Sequence, residues 1–373
     1  MTVYVDVSAA INSRAGLGRY TRSLTQALLE QAELPLALFY NRTRQAQFVP
    51  EWATVPQRSI GLGYKPWRLL VYLAQLARFP MKRLVPGAAA FHATEHLLMP
   101  LGKVPTVMTV HDLIFKLFPE HHKRLNYWFL NAAMPLFVRR ADAIIVVSQA
   151  TKNDLIRHYH TPDNKINVVH EAAAPHFRRV SDAEVARVRE KYNLPERYLL
   201  SVGTIEPRKN LSRLAEVVAR LRRNDRSLHW VVVGAKGWMY DEFFERVERL
   251  NLGDVVFFPG YVPDDDLPAM FRAATVYVMA SLYEGAGLPV LEAMACGAPV
   301  VSSRESSMPE LGADVARYFN PRDLDNMTDV LRMVLDDDQL RTEMAEAGPD
   351  RAAHFSWQRA ARETTNVYRS VMG

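Results

Sequence analysis

Residues 281–303, SLYEGAGLPVLEAMACGAPVVSS, decide how the whole chain is read: they spell a strand end, a glycine loop, a helix, a glycine stop and the next strand in one run. Gly285 and Gly287 permit close backbone approach, and Pro289 pre-sets the first helical turn, so N–H groups at the helix start form an anion site. Glu284 on the loop and Glu292 in the helix flank that site. A carboxylate repels phosphate but accepts hydrogen bonds from sugar hydroxyls, so the pattern fits a ligand with sugars on either side of phosphate. The alternative is that both glutamates only complement the positive end of the helix. For Glu292 alone the two readings are balanced, because VLEAMACG is otherwise apolar and a lone carboxylate there needs a reason. Taken with the glycines, ligand binding is favoured.

Outward from that run, short apolar segments alternate with helix-length amphipathic ones, the pattern of parallel sheets flanked by helices. The pattern occurs twice. Strands are expected at 3–7, 35–40, 88–92, 106–110, 143–147 and 166–169, and again at 198–202, 230–233, 255–258, 276–279 and 299–302. The fold class is therefore α/β, with two tandem Rossmann-like domains: an amino-terminal one over 1–175 and a second over 176–353. EAAAPHFRRV (171–180) interrupts the rhythm at the join. A final helix over 354–373, capped by Ser356, is expected to cross back to the first domain. Open α/β sheets bind ligands outside the carboxyl ends of their strands, so function is expected on those loops, in an interdomain cleft.

Three further loops carry chemistry. VGTIEPRKNL (202–211) sets Arg208 and Lys209 between a strand and a helix, with Asn210 expected as its cap. A guanidinium fork beside an ammonium point charge suits a diphosphate. SRAGLGRYTRSL (13–24) places Gly16 and Gly18 after the first strand, but it lacks the third glycine of a dinucleotide fingerprint and no acidic residue ends the next strand, which argues against nicotinamide dinucleotides. His111 and Asp112 follow the strand TVMTV and should stand at its carboxyl end, where a histidine can hydrogen-bond a ligand hydroxyl. Asp264–Asp266 read as a capping cluster rather than a metal site, His121–His122 lack ligand spacing, and Cys296 reads as a small core residue.

The formal net charge is +5, unevenly spread: residues 1–175 hold 20 Lys and Arg against 11 Asp and Glu, and the rest holds 26 against 30. A basic first half suits an anionic partner, whether nucleic acid, phospholipid head groups or a phosphorylated substrate. YKPWRLLVYLAQLARFPMKRL (64–84) mixes apolar and basic residues as interfacial helices do, with Trp67, Leu70, Leu73, Ala74, Ala77 and Met81 assigned to one stripe; an ordinary core helix reads equally well. FKLFPEHHKRLNYWFLNAAMPLFVRR (115–140) has the same character. A single cysteine excludes an internal disulfide framework and favours a reducing compartment. No signal peptide or membrane-spanning run is read, so the expected location is cytoplasmic, at the inner face of the cytoplasmic membrane.

AGLGRYTRSL, VMTVHDLIF, VVSQATKNDL, VGTIEPRKNL, PGYVPDDDL and YEGAGLPVLEAMACGAPVV, in that order, give a chain that resembles family 4 of the retaining glycosyltransferases, with the glycosyltransferase-B fold. The resemblance spans essentially the whole chain. It implies that Gly16 lies against the donor phosphates, that His111 hydrogen-bonds the transferred sugar, and that Arg208 and Lys209 hold the diphosphate leaving group. It further implies that Glu284 contacts sugar hydroxyls, with backbone N–H groups around Gly287 and Leu288 helping, that Glu292 binds the ribose, and that Tyr261 and Val262 pack the base. His111, Lys209 and Glu284 would be the catalytic residues. No metal and no cofactor is expected beyond the nucleotide-sugar co-substrate. Relatives often carry Phe at the position of Ala286 and Gly at that of Ala15, which bears on donor identity.

The resulting expectation is transfer of a hexose, mannose from GDP-mannose first and a UDP-linked sugar second, to a glycan or lipid-diphosphate-linked glycan in surface polysaccharide assembly. Peripheral contact with an anionic membrane is expected, and no nucleic acid partner. The rival classes are a non-catalytic nucleotide-sugar-binding protein and a nicotinamide oxidoreductase.

Overall fold

A computed structural model describes residues 1–12, 15–44, 46–121 and 124–373. Ser13, Arg14, Gln45, His122 and Lys123 lie outside the described residues; Gly16 and Gly18, expected in a loop before the helix, fall within it. The chain divides into two compact units, Met1–Glu171 together with Ser356–Gly373, and Ala172–Phe355. The break falls within a few residues of the expected 175 and 353.

The first unit holds seven parallel strands: β1 (Thr2–Asp6), β2 (Leu36–Asn41), β3 (Gln57–Ile60), β4 (Ala88–Ala93), β5 (Thr106–Val110), β6 (Ala143–Val146) and β7 (Ile166–Val168), in the order β3-β2-β1-β4-β5-β6-β7. Its helices are α1 (Ser8–Ile11), α2 (Ala15–Gln31), α3 (Tyr64–Ala77), α4 (Ile114–Leu117), α5 (Arg124–Arg140) and α6 (Gln149–Tyr159). Alternate residues of each strand point to opposite faces. Tyr4, Phe39 and Phe91 pack under α3 and α5, while Val5 and Leu38 pack on the other face with Trp52.

The second unit holds six parallel strands: β8 (Tyr198–Val202), β9 (His229–Val233), β10 (Val256–Gly260), β11 (Val276–Met279), β12 (Val300–Ser303) and β13 (Arg317–Phe319), in the order β10-β9-β8-β11-β12-β13. Around them lie α7 (Asp182–Tyr192), α8 (Leu211–Leu221), α9 (Asp241–Arg249), α10 (Leu267–Ala273), α11 (Leu288–Ala295), α12 (Met308–Gly312), α13 (Leu324–Asp336) and α14 (Asp338–Ala353). The last helix, α15 (Trp357–Met372), is capped by Ser356, whose hydroxyl accepts from the Arg359 amide. It packs on the first unit: Trp357 meets Tyr20 edge-on, and the Tyr368 hydroxyl shares a 2.7 Å hydrogen bond with Nδ1 of His92.

Both sheets are doubly wound, and in each the strand order reverses once, between β1 and β4 and between β8 and β11. Crevices for ligands open at such switch points, outside the carboxyl ends of the strands.

Four sequence expectations need correction. Strands β3 (QRSI) and β13 (RYF), each at one edge of its sheet, are additional to those expected: neither carries an apolar run, and β3 is exposed or half-exposed throughout. Asn210 does not cap α8; it adopts a left-handed conformation and its side-chain amide ties other segments together. Asp266 does not cap α10 but pairs with Arg187, Lys191 and the Tyr192 hydroxyl, tying α7 to α10. In α3 the buried stripe is Trp67, Val71, Ala74 and Gln75, which leaves Leu70 and Leu73 on the outside.

Candidate active site

The second unit's crevice begins with two glycines. Gly203 ends β8 at φ +141° and Gly234 ends β9 at φ +150°; a Cβ on Gly234 would lie 2.0 Å from the Gly203 carbonyl oxygen. Only glycine fits so close a backbone crossing. The β8 loop then turns through a short 3-10 segment, Pro207–Lys209, which sets Arg208 and Lys209 at the carboxyl edge. Asn210 fixes this turn by donating to the carbonyls of Ala280, at the end of β11, and Pro321. The Leu282 amide donates to the Arg208 carbonyl, so the loops of the two strands flanking the switch point are stitched to each other.

Glu284 is the hub between them. Its two oxygens accept from Lys209 Nζ and Arg208 Nη1, each at 2.7 Å, and the Ser281 hydroxyl donates to the oxygen that Lys209 shares. The Arg208 fork also donates to Glu206 and to the Tyr283 carbonyl. The Ser306 hydroxyl accepts from the Glu284 amide, and the Ser307 hydroxyl donates to the Glu284 carbonyl, so the backbone is clamped as well. Burial alone would raise the Glu284 pKa, but Arg208 and Lys209 outweigh it and hold the carboxyl down at about 2. Two cations and two carboxylates thus balance at one edge, with little water to screen them.

Gly287 precedes α11 at φ +66°, a conformation that favours glycine, and a Cβ there would also press on the Leu311 and Ser307 side chains. Pro289 has no N–H and the Val290 amide donates to the Gly287 carbonyl. Within that turn the anion-binding capacity therefore narrows to the amides of Gly287 and Leu288. Glu292 is buried on the second turn of α11, beyond the reach of a helix-end effect confined to the first turn. Its charge pushes up the pKa of Tyr277 and Cys296, after their own burial. Tyr261 follows Gly260 at the end of β10 and is exposed, while Val262 is buried beside it.

In the first unit, His111 follows β5 at the carboxyl edge and is buried. Its Nε2 lies 2.9 Å from the Thr94 carbonyl, at the end of β4, and its Nδ1 lies 3.3 Å from Glu171. Both partners can accept, an arrangement that favours the protonated ring. Burial works against that charge, but Glu171, Thr94 and Asp112 outweigh it and raise the His111 pKa above its ordinary value. Tyr20 stands edge-on at 4.5 Å, and the His111 amide donates to Nε2 of His96. Asp112 caps α4 through the Ile114 amide. Gly16 is exposed on α2 and nothing lies within 4 Å of where its Cβ would be, whereas a Cβ on Gly18 would sit 2.9 Å from the Ala9 carbonyl. The second glycine is thus required by packing and the first is not.

The structure therefore joins Arg208, Lys209 and Glu284, places Glu292, Gly287 and Leu288 on the helix beside them and Tyr261 and Val262 after β10, and sets Gly16 and His111 on the other unit. Sequence reasoning missed Glu206, Ser281, Ser306, Ser307, Thr94 and Glu171. Glu171 alone left a signal, a single carboxylate closing an otherwise apolar stretch after a strand.

The fold and the clustered charges define a doubly wound α/β protein with the ligand crevice of a nucleotide-binding sheet. Residues 14–176 match the model "Glycosyltransferase Family 4" and residues 182–351 match "Glycosyl transferases group 1". The chain is 30% identical over 368 residues to the O-antigen chain mannosyltransferase B of Escherichia coli, covering 95% of this chain and 96% of that one. Among solved structures it is similar to the sucrose-phosphate synthase of Thermosynechococcus elongatus (TM-score 0.77, 20% identity, 99% and 98% of the two chains). It is also similar to Anabaena HepE in complex with UDP and glucose (TM-score 0.76, 17% identity, 99% and 100%). The chain belongs to the glycosyltransferases of the GT-B fold.

Proposed function

We propose that this glycosyltransferase moves a mannosyl group from GDP-mannose, with retention of configuration, to a glycan or lipid-diphosphate-linked glycan during surface polysaccharide synthesis. The observation that carries the reading is the Arg208–Lys209–Glu284 cluster across the β8–β11 switch point. When the bond from the sugar to the diphosphate breaks, negative charge gathers on the leaving oxygen, and Lys209, Arg208 and the amides of Gly287 and Leu288 are the groups suited to stabilise it. Preorganised charge of this kind is worth most where it needs no reorientation, and Glu284 supplies that by fixing both cations. No divalent ion is called for in this reading, because the cations perform its work. Glu292 is assigned to the ribose, Tyr261 and Val262 to the base, and Gly16 to the phosphates. His111 is assigned to a sugar hydroxyl, which would replace Glu171, the more distant of its two partners.

The mannose assignment is supported by the similarity over nearly the whole chain to the O-antigen chain mannosyltransferase B. Calorimetric titration across GDP- and UDP-sugars tests it: GDP-mannose is expected to bind most tightly, and preference for a UDP-sugar would overturn it. An anomeric product of inverted configuration by NMR would overturn retention, and loss of turnover in EDTA, restored by a divalent ion, would overturn metal independence.

A further inference from the structure

A helix that is apolar all round belongs inside a protein. α3 is not inside. Trp67, Val71 and Ala74 face the core of the first unit, yet Leu69, Leu70, Leu73 and Leu76 are exposed on the opposite side. At 3.6 residues per turn, these four share about a third of the helix circumference. Phe79 extends the exposed surface just beyond the helix end, 66% exposed.

The apolar surface continues onto a second helix. Arg68 of α3 lies 3.9 Å over the Phe129 ring of α5 and donates to Asn126, and Tyr72 meets Phe129 edge-on, so α3 and α5 lie side by side. The first turns of α5 expose Leu125 (80%) and Trp128 (69%). A soluble surface seldom leaves so many large apolar side chains together without a partner.

Along these two segments the charges have one sign. No acidic residue occurs between positions 52 and 94, whereas that stretch carries Arg58, Lys65, Arg68, Arg78, Lys82 and Arg83; α5 likewise has no acidic residue and begins at Arg124. Lys65, Arg78, Lys82, Arg83 and Arg124 are exposed. A second copy laid on this face would set cation against cation. We propose that the α3–α5 face is a docking surface for an anionic lipid bilayer, with the leucines, Phe79 and Trp128 entering the headgroup boundary and the basic residues meeting lipid phosphates. Among the described residues no helix is long and apolar enough to cross a membrane, so the contact is peripheral. This inference uses none of the residues assigned to the donor and does not depend on which sugar is transferred.

The test is co-sedimentation of the full chain with vesicles of phosphatidylcholine alone and of phosphatidylcholine mixed with phosphatidylglycerol. The wild type is expected to sediment with the mixed vesicles, to stay in solution with the neutral ones, and to be released by salt. Lys82→Gln with Arg83→Gln is expected to weaken partition by about fivefold per charge. Leu73→Ser with Leu76→Ser is expected to abolish it while leaving the circular dichroism spectrum unchanged, since both leucines are exposed. Failure to sediment with either vesicle, or equal binding to both, overturns the proposal. A concentration-dependent dimer in light scattering that the leucine pair abolishes also overturns it, in favour of a second copy as occupant.

Discussion

The carboxyl edges of the two sheets share one topology and differ in chemistry. At the β8–β11 switch point, Arg208, Lys209, Glu206 and Glu284 converge, and side chains of three serines clamp the loop that carries Glu284. On the first unit the corresponding edge gathers, among the described residues, the buried pair of His111 with Glu171, with Asp112 adding negative charge beside aromatic and hydroxyl groups. The difference teaches that strand order chooses where the loops meet, while the charges placed on those loops choose what each can stabilise. A site for a diphosphate needs the first arrangement; a site for a neutral hydroxyl is served by the second.

The largest effect expected from breaking this contrast is on turnover. Lys209→Ala removes one of the two cations that Glu284 holds, and transfer should fall by about a hundred- to a thousandfold while the fold survives. Steady-state kinetics beside circular dichroism checks this; unchanged turnover would reduce the cluster to a structural brace.

Glu284→Gln tests the same cluster through stability. It leaves Arg208 with Glu206 and takes the Glu284 carboxylate from Lys209, and the cost should be about 3–5 kcal/mol by chemical denaturation. Because the folded Glu284 carboxyl sits at about 2, below its ordinary 4.5, it stabilises the wild type above about pH 4.5 and that contribution is lost as pH falls toward 2. The variant should lack this acid branch.

The first unit should respond with the opposite sign. The folded His111 pKa is raised, so its contribution to stability is complete below the ordinary value of 6.5 and is lost as pH rises through the folded value. Glu171→Gln should lower that titration point, read by NMR of the ring protons, and flatten the alkaline loss of stability. An unshifted titration would show that Glu171 does not hold the ring. The smallest effect separates the two glycines before α2's first full turn is complete. Gly18→Ala should destabilise by about 1–3 kcal/mol through overpacking against Ala9, while Gly16→Ala, helical with open space for its Cβ, should raise stability by at most about 1 kcal/mol.

The central strands were legible because buried parallel strands are continuous apolar runs: TVMTV and YLLSV are read with the bounds the structure gives. Two of the four edge strands were not, since QRSI and RYF look like loop without their neighbours, whereas the edge strands β7 and β10 carry the apolar residues by which they were read. In the candidate site, the cations and Glu284 were legible from their place between strand and helix. What sequence could not disclose was the pairing: that one carboxylate bridges both cations, and that Asn210 serves the Ala280 and Pro321 carbonyls instead of a helix cap. Those contacts join residues about 70 to 110 positions apart, which no local pattern encodes. The face of α3 was legible in part: the interfacial and core readings stand in balance, with Leu70 and Leu73 set in one stripe with Trp67 and Ala74. A run with two apolar faces does not say which one the sheet will take, and Trp67 with Val71 decided it by filling the core beside Phe39.

The central claim is that the fixed cations of the β8–β11 crevice hold the diphosphate of a nucleotide sugar. Calorimetric titration of GDP-mannose into the wild type and into Arg208→Ala and Lys209→Ala tests it most directly. The account predicts a saturable isotherm for the wild type and at least about tenfold weaker binding for each variant, the loss expected of one charged hydrogen bond. Equal affinity in all three proteins would contradict it.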